Sequence, residues 1–310
     1  MNRSLFRGGV YALLMCLLST GLAWAQGSTT STISGRVVDS SGGVLPGATV
    51  VAKHLGTNVE STTVTNAEGA FTLPSLPAGT YEVTVSLEGF KTTVIKDVVI
   101  TAVQGADLNA KLEIGGVTET VTVASTSEII QTQSTTIAST ITTNQITKLP
   151  LTSRSAMDFV NFMPGVTTVS GNRNATINGL PEGVINITID GVNVQDNTNR
   201  STDGFFSIIS PRLDAIEEVS VTTAGQGADA GQGAVQIKMV TRSGGNQYTG
   251  SAYHYYRNDA LNANTWFNNR AQVDKAELVQ HQTGARLGGP LVIPGLLNRG
   301  KAFFFGNYEE

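Results

Sequence analysis

Two β-strand patterns joined by a glycine-rich crossing, at residues 216–245, constrain this chain more than any other feature. The first pattern, Ile216–Thr223, is rich in β-branched residues, and the second, Ala234–Thr241, alternates apolar with polar side chains. Alternation with a period of two is typical of a strand with one buried face. The crossing permits positive φ angles and close backbone approach, because it contains Gly225, Gly227, Gly231 and Gly233. This segment predicts a β-rich fold with a tight turn.

A nucleotide-binding loop is the competing interpretation of the same glycines. The dinucleotide fingerprint needs G-x-G-x-x-G followed by a helix, whereas here the third glycine comes one residue late and a strand pattern follows. The formal net charge of −4 and the lack of a basic patch give no indication of a nucleic-acid partner. The three histidines are scattered over different segments without metal-ligand spacing, and no G-x-S-x-G sequence occurs. We therefore expect neither a cofactor, a metal site nor an enzyme.

The N-terminus has the pattern of an export signal. Two arginines precede the apolar run Val10–Leu22, and Ala23-Trp24-Ala25 follows it. A charged region, a short apolar region and an A-x-A sequence predict a signal peptide over residues 1–25. Cys16 is the only cysteine and lies within this predicted signal peptide. The mature chain would therefore have neither disulfides nor a thiol nucleophile.

Residues 26–115 show short strand patterns at the spacing of a β-sandwich. Charged residues make up only 14% of the chain, against roughly 25% in typical soluble domains, and Thr, Ser, Val and Gly favour strands and turns. About seven patterns separated by turn signals predict a sandwich; they are Ile33–Asp39, Ala48–His54, Glu60–Thr65, Phe71–Leu73, Thr80–Leu87, Thr92–Ile100 and Asp107–Ile114.

Four motifs in this segment carry a resemblance to a known module. They are Gly35-Arg-Val-Val-Asp39, Leu45-Pro-Gly-Ala-Thr-Val50, Asn66-Ala-Glu-Gly-Ala-Phe71 and Leu76-Pro-Ala-Gly-Thr-Tyr81. The segment resembles the carboxypeptidase regulatory-like domain, which implies a transthyretin-like (prealbumin-like) sandwich that docks or stabilises rather than catalyses. Carbohydrate binding is sometimes inferred for this fold, and the available aromatics are Phe71, Tyr81 and Phe90. Tyr81 lies on the apolar face of its strand, which favours core packing for it.

Residues 144–245 carry a second resemblance. A helix capped by Ser153 is expected to carry Ala156 and Met163, and Asp190-Gly191 between alternating residues is a hairpin signal. The motifs Ile187-Thr-Ile-Asp-Gly-Val192, Ile208–Val219, Gly231–Ile237 and Thr241-Arg-Ser-Gly244 resemble the plug domain of TonB-dependent outer-membrane receptors. The resemblance implies a small α+β domain whose structural motif includes Asp190, Gly191, Glu218, Gly231 and Gly233.

Residues 116–143 are expected to form a linker between the two domains. The linker contains a hexad that has two interpretations: Glu119, Thr120, Val121, Thr122, Val123 and Ala124. It is either the terminal strand of the sandwich or a TonB box, a short segment that a TonB-type periplasmic energy-coupling protein captures by strand addition.

Residues 246–310 contain three strand candidates, Tyr248–Tyr256, His281–Leu287 and Ala302–Tyr308. Their alternation and aromatic residues fit a membrane barrel, and the segment resembles the first strands of the Oar-like barrel. An open barrel edge cannot face lipid, so we expect a truncated receptor or a gene fragment with an incomplete barrel.

The predicted fold class is therefore mainly β: a transthyretin-like sandwich, a small α+β plug and the first strands of an outer-membrane β-barrel. The resemblance implies the N-terminal portion of a TonB-dependent transporter in the outer membrane, in contact with its lipid, with the sandwich in the periplasm. The plug would gate uptake of an oligosaccharide, a peptide or a metal chelate. The alternatives are a secreted carbohydrate-binding or adhesive sandwich protein and an exported hydrolase accessory.

Overall fold

The computed structural model of the chain describes residues 29–115, 120–124, 136–142, 145, 153–168, 174–199, 204–225, 231–295 and 297–310. The predicted signal peptide and residue Glu119 lie outside these ranges. The described residues form a β-sandwich, a mixed-sheet domain and an antiparallel sheet at the end of the chain.

The sandwich is built from two sheets. Its strands are Thr30–Asp39 (β1), Thr49–His54 (β2), Glu60–Val64 (β3), Ala70–Pro77 (β4), Gly79–Ser86 (β5), Thr92–Ile100 (β6), Ala106–Leu112 (β7) and Thr120–Ala124 (β8). One sheet has the order β4-β1-β7 and the other the order β3-β2-β5-β6-β8. Strand β1 pairs antiparallel with β4 and parallel with β7. All seven strands predicted from alternation are present.

The sandwich core follows directly from the period of two in its strands. In β5, Tyr81, Val83 and Val85 are buried, while the alternate side chains are only half-buried. They pack with Ile33, Val50 and the other apolar residues that both sheets direct inward. The hydroxyl of Tyr81 donates to the carbonyl of Pro77 at 2.8 Å, so its one polar atom is satisfied inside the core. The assignment of Tyr81 to core packing is confirmed.

The second domain contains a five-stranded sheet, here called the plug sheet. Its order is β13-β12-β15-β14-β9, where β9 is Ile137–Thr142, β12 is Ile185–Ile189, β13 is Val192–Asn193, β14 is Ile216–Ala224 and β15 is Val235–Thr241. Strands β12 and β15 are parallel, and β14 is antiparallel to both of its neighbours. A small hairpin of Val166–Thr168 (β10) and Ala175–Ile177 (β11) accompanies the sheet.

The two faces of the plug sheet differ in chemistry. One face carries Ile187, Val219 and Ile237, which pack against Phe159 and the rest of an apolar core. The alternate residues of the same strands form the polar face: Asn186, Glu218, Ser220, Thr222 and Gln236, all of them buried. Amide and hydroxyl groups link this face laterally, as in the 2.8 Å bond from Asn186 Nδ2 to Gln236 Oε1.

Two segments differ from the sequence-based expectation. Strand β9 lies inside the predicted linker but belongs to the plug domain, because Ile141 packs against the plug core and the strand pairs with β14. The helix expected after Ser153 is a 3₁₀-helix at Ala156–Phe162 whose N-cap, Ser155, makes no side-chain cap bond. The Ser153 hydroxyl donates instead to the Asp158 carboxylate. Extended residues flank this helix on both sides and limit it to about two turns.

The end of the chain forms an open three-stranded sheet. Thr249–Asn258 (β16), Val279–Pro290 (β17) and Phe303–Glu309 (β18) pair antiparallel in sequence order. A short helix, Trp266–Ala271 (α1), lies in the connection between β16 and β17. Three further 3₁₀-turns occupy Glu182–Val184, Leu213–Ala215 and Asp259–Leu261. The three predicted strand candidates are present, and each is longer or shifted by a few residues.

Candidate functional site

Thr120–Ala124, the described part of the hexad predicted as either a sandwich strand or a coupling segment, lies at the edge of a sheet. Thr120–Ala124 pairs in parallel with β6, with Thr92 opposite Thr120 and Val94 opposite Thr122. No other strand in the described ranges pairs with β8, which ends the order β3-β2-β5-β6-β8. An unpaired strand edge presents backbone donors and acceptors that another chain can use. The segment therefore combines a place in the sandwich with an edge suited to strand addition.

Glu218 joins the sandwich to the plug sheet. Its carboxylate accepts the backbone N–H of Ala102, at 3.2 Å to each oxygen, and the hydroxyl of Ser220. Burial raises the pKa of Glu218, and the bonds from Ser220 and Ala102 oppose that shift. Ala102 belongs to the turn between β6 and β7. A plug residue predicted only as part of a structural motif thus makes a contact between domains.

Asp190 and Gly191 form the predicted hairpin turn and also anchor the end of the plug. Their φ angles, 48° and 81°, are both positive, as a type I′ turn requires. The two carboxylate oxygens of Asp190 accept the N–H of Thr241 at 2.9 Å and its hydroxyl at 2.6 Å. Thr241 is the last residue of β15, so this turn fixes the point at which the chain leaves the plug sheet.

The other two predicted motif glycines lie where the crossing enters β15. Gly231 and Gly233 have φ angles of +73° and +92°, a region that glycine enters without steric cost. A Cβ atom at Gly231 would meet nothing within 4 Å, so Gly231 serves backbone conformation rather than close packing. Close approach occurs instead at Gly244, where a Cβ atom would lie 2.2 Å from the carbonyl oxygen of Phe304.

A charged cluster joins the plug domain to the final sheet. The Arg154 guanidinium pairs with Asp214 of the plug domain and, at 2.9 Å, with Glu309 of β18. It also lies 4.4 Å from the ring centre of Tyr253 and 4.5 Å from that of Tyr255. Burial opposes the charge of Arg154, yet its partners, Glu309 foremost, raise its pKa. Arg154 therefore stays cationic where two domains meet.

This charged cluster was not predicted from the sequence. Arg154 and Glu309 are 155 residues apart, so no local spacing relates them. The sequence offers only a weak indication of a role for Arg154: it is a cation next to the apolar pattern that begins at Ala156, in a chain with few charges.

A loop of the sandwich contacts the segment between the plug and the final sheet. The carbonyl of Gly56 accepts the N–H of Asn246 at 2.9 Å. His54 shapes this loop, because its Nδ1 accepts the N–H groups of Gly56 and Thr57, each at 3.1 Å. The His54 ring packs edge-on against Tyr81 at 4.9 Å, and burial lowers the pKa of His54. The sandwich thus contacts both the plug sheet and the exit from it.

The described ranges contain no group of three or more His, Cys, Asp and Glu side chains arranged to hold a metal ion. Within the same ranges, no helix has the length and apolar character needed to cross a membrane.

Three sequence families match the chain in succession. Residues 32–113 match the carboxypeptidase regulatory-like domain, residues 130–236 the TonB-dependent receptor plug domain, and residues 240–310 an outer membrane β-barrel domain. The plug match begins before β9, in agreement with the pairing of that strand in the plug sheet.

One curated relative is the TonB-dependent transporter Oar of Myxococcus xanthus. It is 27% identical over 330 residues, which cover 99% of this chain and 29% of the transporter. The chain thus spans less than a third of the length of that relative. Among solved structures, the siderophore receptor PirA from Acinetobacter baumannii has 21% identity and a TM-score of 0.39, covering 56% of this chain and 24% of PirA.

A variant of the ferric enterobactin receptor PfeA from Pseudomonas aeruginosa has 22% identity and a TM-score of 0.35, covering 50% of this chain and 22% of the receptor. The family assignment rests on the three domain matches and their order. In sequence order, the chain carries the sandwich, the plug and the first barrel strands of a TonB-dependent receptor of the outer membrane.

Proposed function

We propose that this chain is the part of a TonB-dependent transporter through which an energy-coupling protein acts on the plug. After removal of the signal peptide, the sandwich lies in the periplasm and the plug occupies the barrel lumen. The chain performs no bond chemistry. It transmits a pull that rearranges the plug and admits a ligand, with an oligosaccharide, a peptide and a metal chelate as the candidate classes.

The observation that carries this proposal is the position of β8. The strand follows the sandwich, precedes the plug sheet, and has one edge unpaired within the described ranges. A TonB-type partner adds its own strand to this edge through main-chain hydrogen bonds, which require little of the side chains. Thr122 is exposed, so its side chain does not obstruct such an approach.

The contacts of the sandwich provide a route from β8 to the plug. A force on β8 passes through its pairing with β6 to the turn that holds Ala102, which donates to Glu218 of β14. A second contact, from Asn246 to Gly56, reaches the exit of the plug. On this proposal the sandwich is a mechanical link and not only an attached module.

Proline substitutions at the two edges of one sheet test the partner surface. Thr122 of β8 and Thr62 of β3 are both exposed threonines on edge strands of the same sheet, so Thr62→Pro is a matched control for Thr122→Pro. The whole chain, solubilised in detergent, is captured on an immobilised TonB C-terminal domain. We expect Thr122→Pro and deletion of 119–124 to abolish capture, and Thr62→Pro to preserve it. Equal capture of all variants would refute the role of β8.

The competing function, carbohydrate binding by the sandwich, loses its structural support at the aromatic residues. Phe71 and Tyr81 are buried in the core, and Phe90 packs against it. A sugar-stacking platform needs exposed ring faces, which these three residues do not provide. A glycan array with the whole chain discriminates between the two functions. If the sandwich itself binds sugar, binding is saturable, and substitutions of Glu218, a residue of the plug sheet, leave it unchanged. Only the sandwich hypothesis predicts this result.

A further inference from the structure

Two histidines that are far apart in sequence come together on one face of the final sheet. His254 lies on β16 and His281 on β17, and Thr283 is the cross-strand partner of His254 while Tyr256 is that of His281. The two imidazoles are therefore diagonal neighbours on the same face. Both are exposed, and the His254 Nε2 atom lies 3.4 Å from the His281 Nδ1 atom.

We propose that His254 and His281 bind a divalent transition-metal ion, Zn²⁺ in the first instance, between β16 and β17. The separation of their nitrogens supports this assignment. Two nitrogens that each lie about 2.05 Å from a tetrahedral Zn²⁺ are roughly 3.3 Å apart. The pair needs almost no rearrangement to meet that geometry, and water completes the coordination.

The surroundings of His254 fit a metal ligand. Its Nδ1 lies 2.7 Å from the Thr283 hydroxyl oxygen. When Nδ1–H donates to that oxygen, the lone pair is on Nε2, the atom that faces His281. A hydrogen bond from the second ring nitrogen typically fixes the tautomer and orientation of a ligating histidine. On the other side, the Tyr256 ring packs against the His281 ring at 4.8 Å and holds its plane.

The site lies toward the end of the hairpin that is closed by residues 259–278. His281 is the third residue of β17, and Tyr256 is two residues from the end of β16. On the same face, the opposite end of the sheet carries Ala252, Ala285 and Leu287, which are exposed and apolar. The hairpin end carries Asn258, Tyr256 and Thr283 beside the exposed Val279, so the imidazoles lie among mostly polar side chains, where water can complete the coordination sphere. A bound ion then joins the two strands of the hairpin.

Zinc titration of the whole chain in detergent, followed by calorimetry, tests the proposal. We expect one saturable site per chain, lost in His254→Gln and in His281→Gln. His54→Gln, which removes the only other histidine, is the matched control and keeps the site. Thr283→Val retains both ligands but not the orienting hydroxyl, and we expect about tenfold weaker binding. Co²⁺ in place of Zn²⁺ reports tetrahedral coordination by its visible absorption.

The same variants provide the opposing outcomes. Unchanged affinity in His254→Gln or His281→Gln would overturn the assignment, as would the absence of saturable Zn²⁺ uptake by the unmodified chain. In the latter case the two rings share only an N–H···N hydrogen bond. Circular dichroism of each variant establishes that the strands are intact, and Thr283→Val gives an independent answer if a histidine variant does not fold.

Discussion

Replacing Arg154 by alanine tests how the plug is held against the final sheet. The Glu309 side chain is only 1% exposed and would lose its closest cation. Removing one partner of a buried ion pair costs about 3–5 kcal/mol, and each lost cation–π contact about 0.5–1 kcal/mol. The Tyr253 hydroxyl, 2.5 Å from Glu309, and Arg212, at 3.6 Å, partly compensate the charge of this buried carboxylate. We therefore expect the low end of each range. The ion pair and the two cation–π contacts together then give a loss in local stability of about 4 kcal/mol.

Amide hydrogen exchange in the 3₁₀-helix Ala156–Phe162 measures this loss locally, because the helix begins two residues after Arg154. A change of about 4 kcal/mol corresponds to a roughly thousandfold decrease in protection. Arg154→Lys is the graded control, since it keeps the charge but not the planar fork, and it should lose less protection than Arg154→Ala.

A second substitution separates charge burial from other causes. If the loss in Arg154→Ala comes from an unpaired Glu309, adding Glu309→Gln must restore much of the protection. The double variant is then more stable than the Arg154→Ala single variant. A double variant that loses the sum of both single effects would refute the reasoning, because it would show that the two residues act independently.

Two pH-dependent predictions follow from the contacts of the sandwich. Burial raises the pKa of Glu218 above 4.5, so its ionised form is penalised in the folded chain and stability rises as pH falls from the folded pKa toward 4.5. Glu218→Gln should remove this dependence of stability on pH and raise the unfolding temperature at pH 8 but not at pH 4.5. Calorimetry that gives the same pH profile for the variant and the unmodified chain would contradict the prediction. Burial lowers the pKa of His54 below 6.5, so stability should fall as pH drops from 6.5 toward the folded pKa, because the unfolded chain takes up the proton first. His54→Gln should show a flatter profile over that window in thermal unfolding, and an unchanged profile would count against the role of His54.

Several sandwich strands were predictable because their side chains alternate between a buried face and a more exposed one. Residues 80–87 alternate, and β5 is found at Gly79–Ser86. Asp190-Gly191 predicted its hairpin for a local reason, since few residue pairs accept two positive φ angles. Strand β9 was missed because Ile137–Thr142 has no clear alternation and lies in a polar run. Its position depends on β14, about 80 residues later in the chain.

The functional contacts were less predictable than the strands. Asp190 was expected in a turn and in the structural motif of the plug, but its bonds to Thr241, which is 51 residues away, could not be read from local spacing. Arg154 and the histidine pair depend likewise on which strands become neighbours. Side-chain chemistry is visible in a sequence, but the pairing of distant strands decides which groups meet. The hexad keeps both of its interpretations, because an edge strand can belong to a sheet and still accept a partner.

The polar face of the plug sheet has a consequence for how the plug can move. Asn186 and Gln236 are buried and bond each other, and the buried Ser220 bonds Thr140 of the neighbouring strand; water can replace these hydrogen bonds. Separating this face from its neighbours wets amides and hydroxyls rather than hydrocarbon, so the cost of about 25 cal/mol per Å² of exposed apolar surface is largely avoided. The apolar face packs against Phe159 and does not take part in this separation. If the plug moves as proposed above, the surface it exposes would be mainly polar, and this favours its return without aggregation.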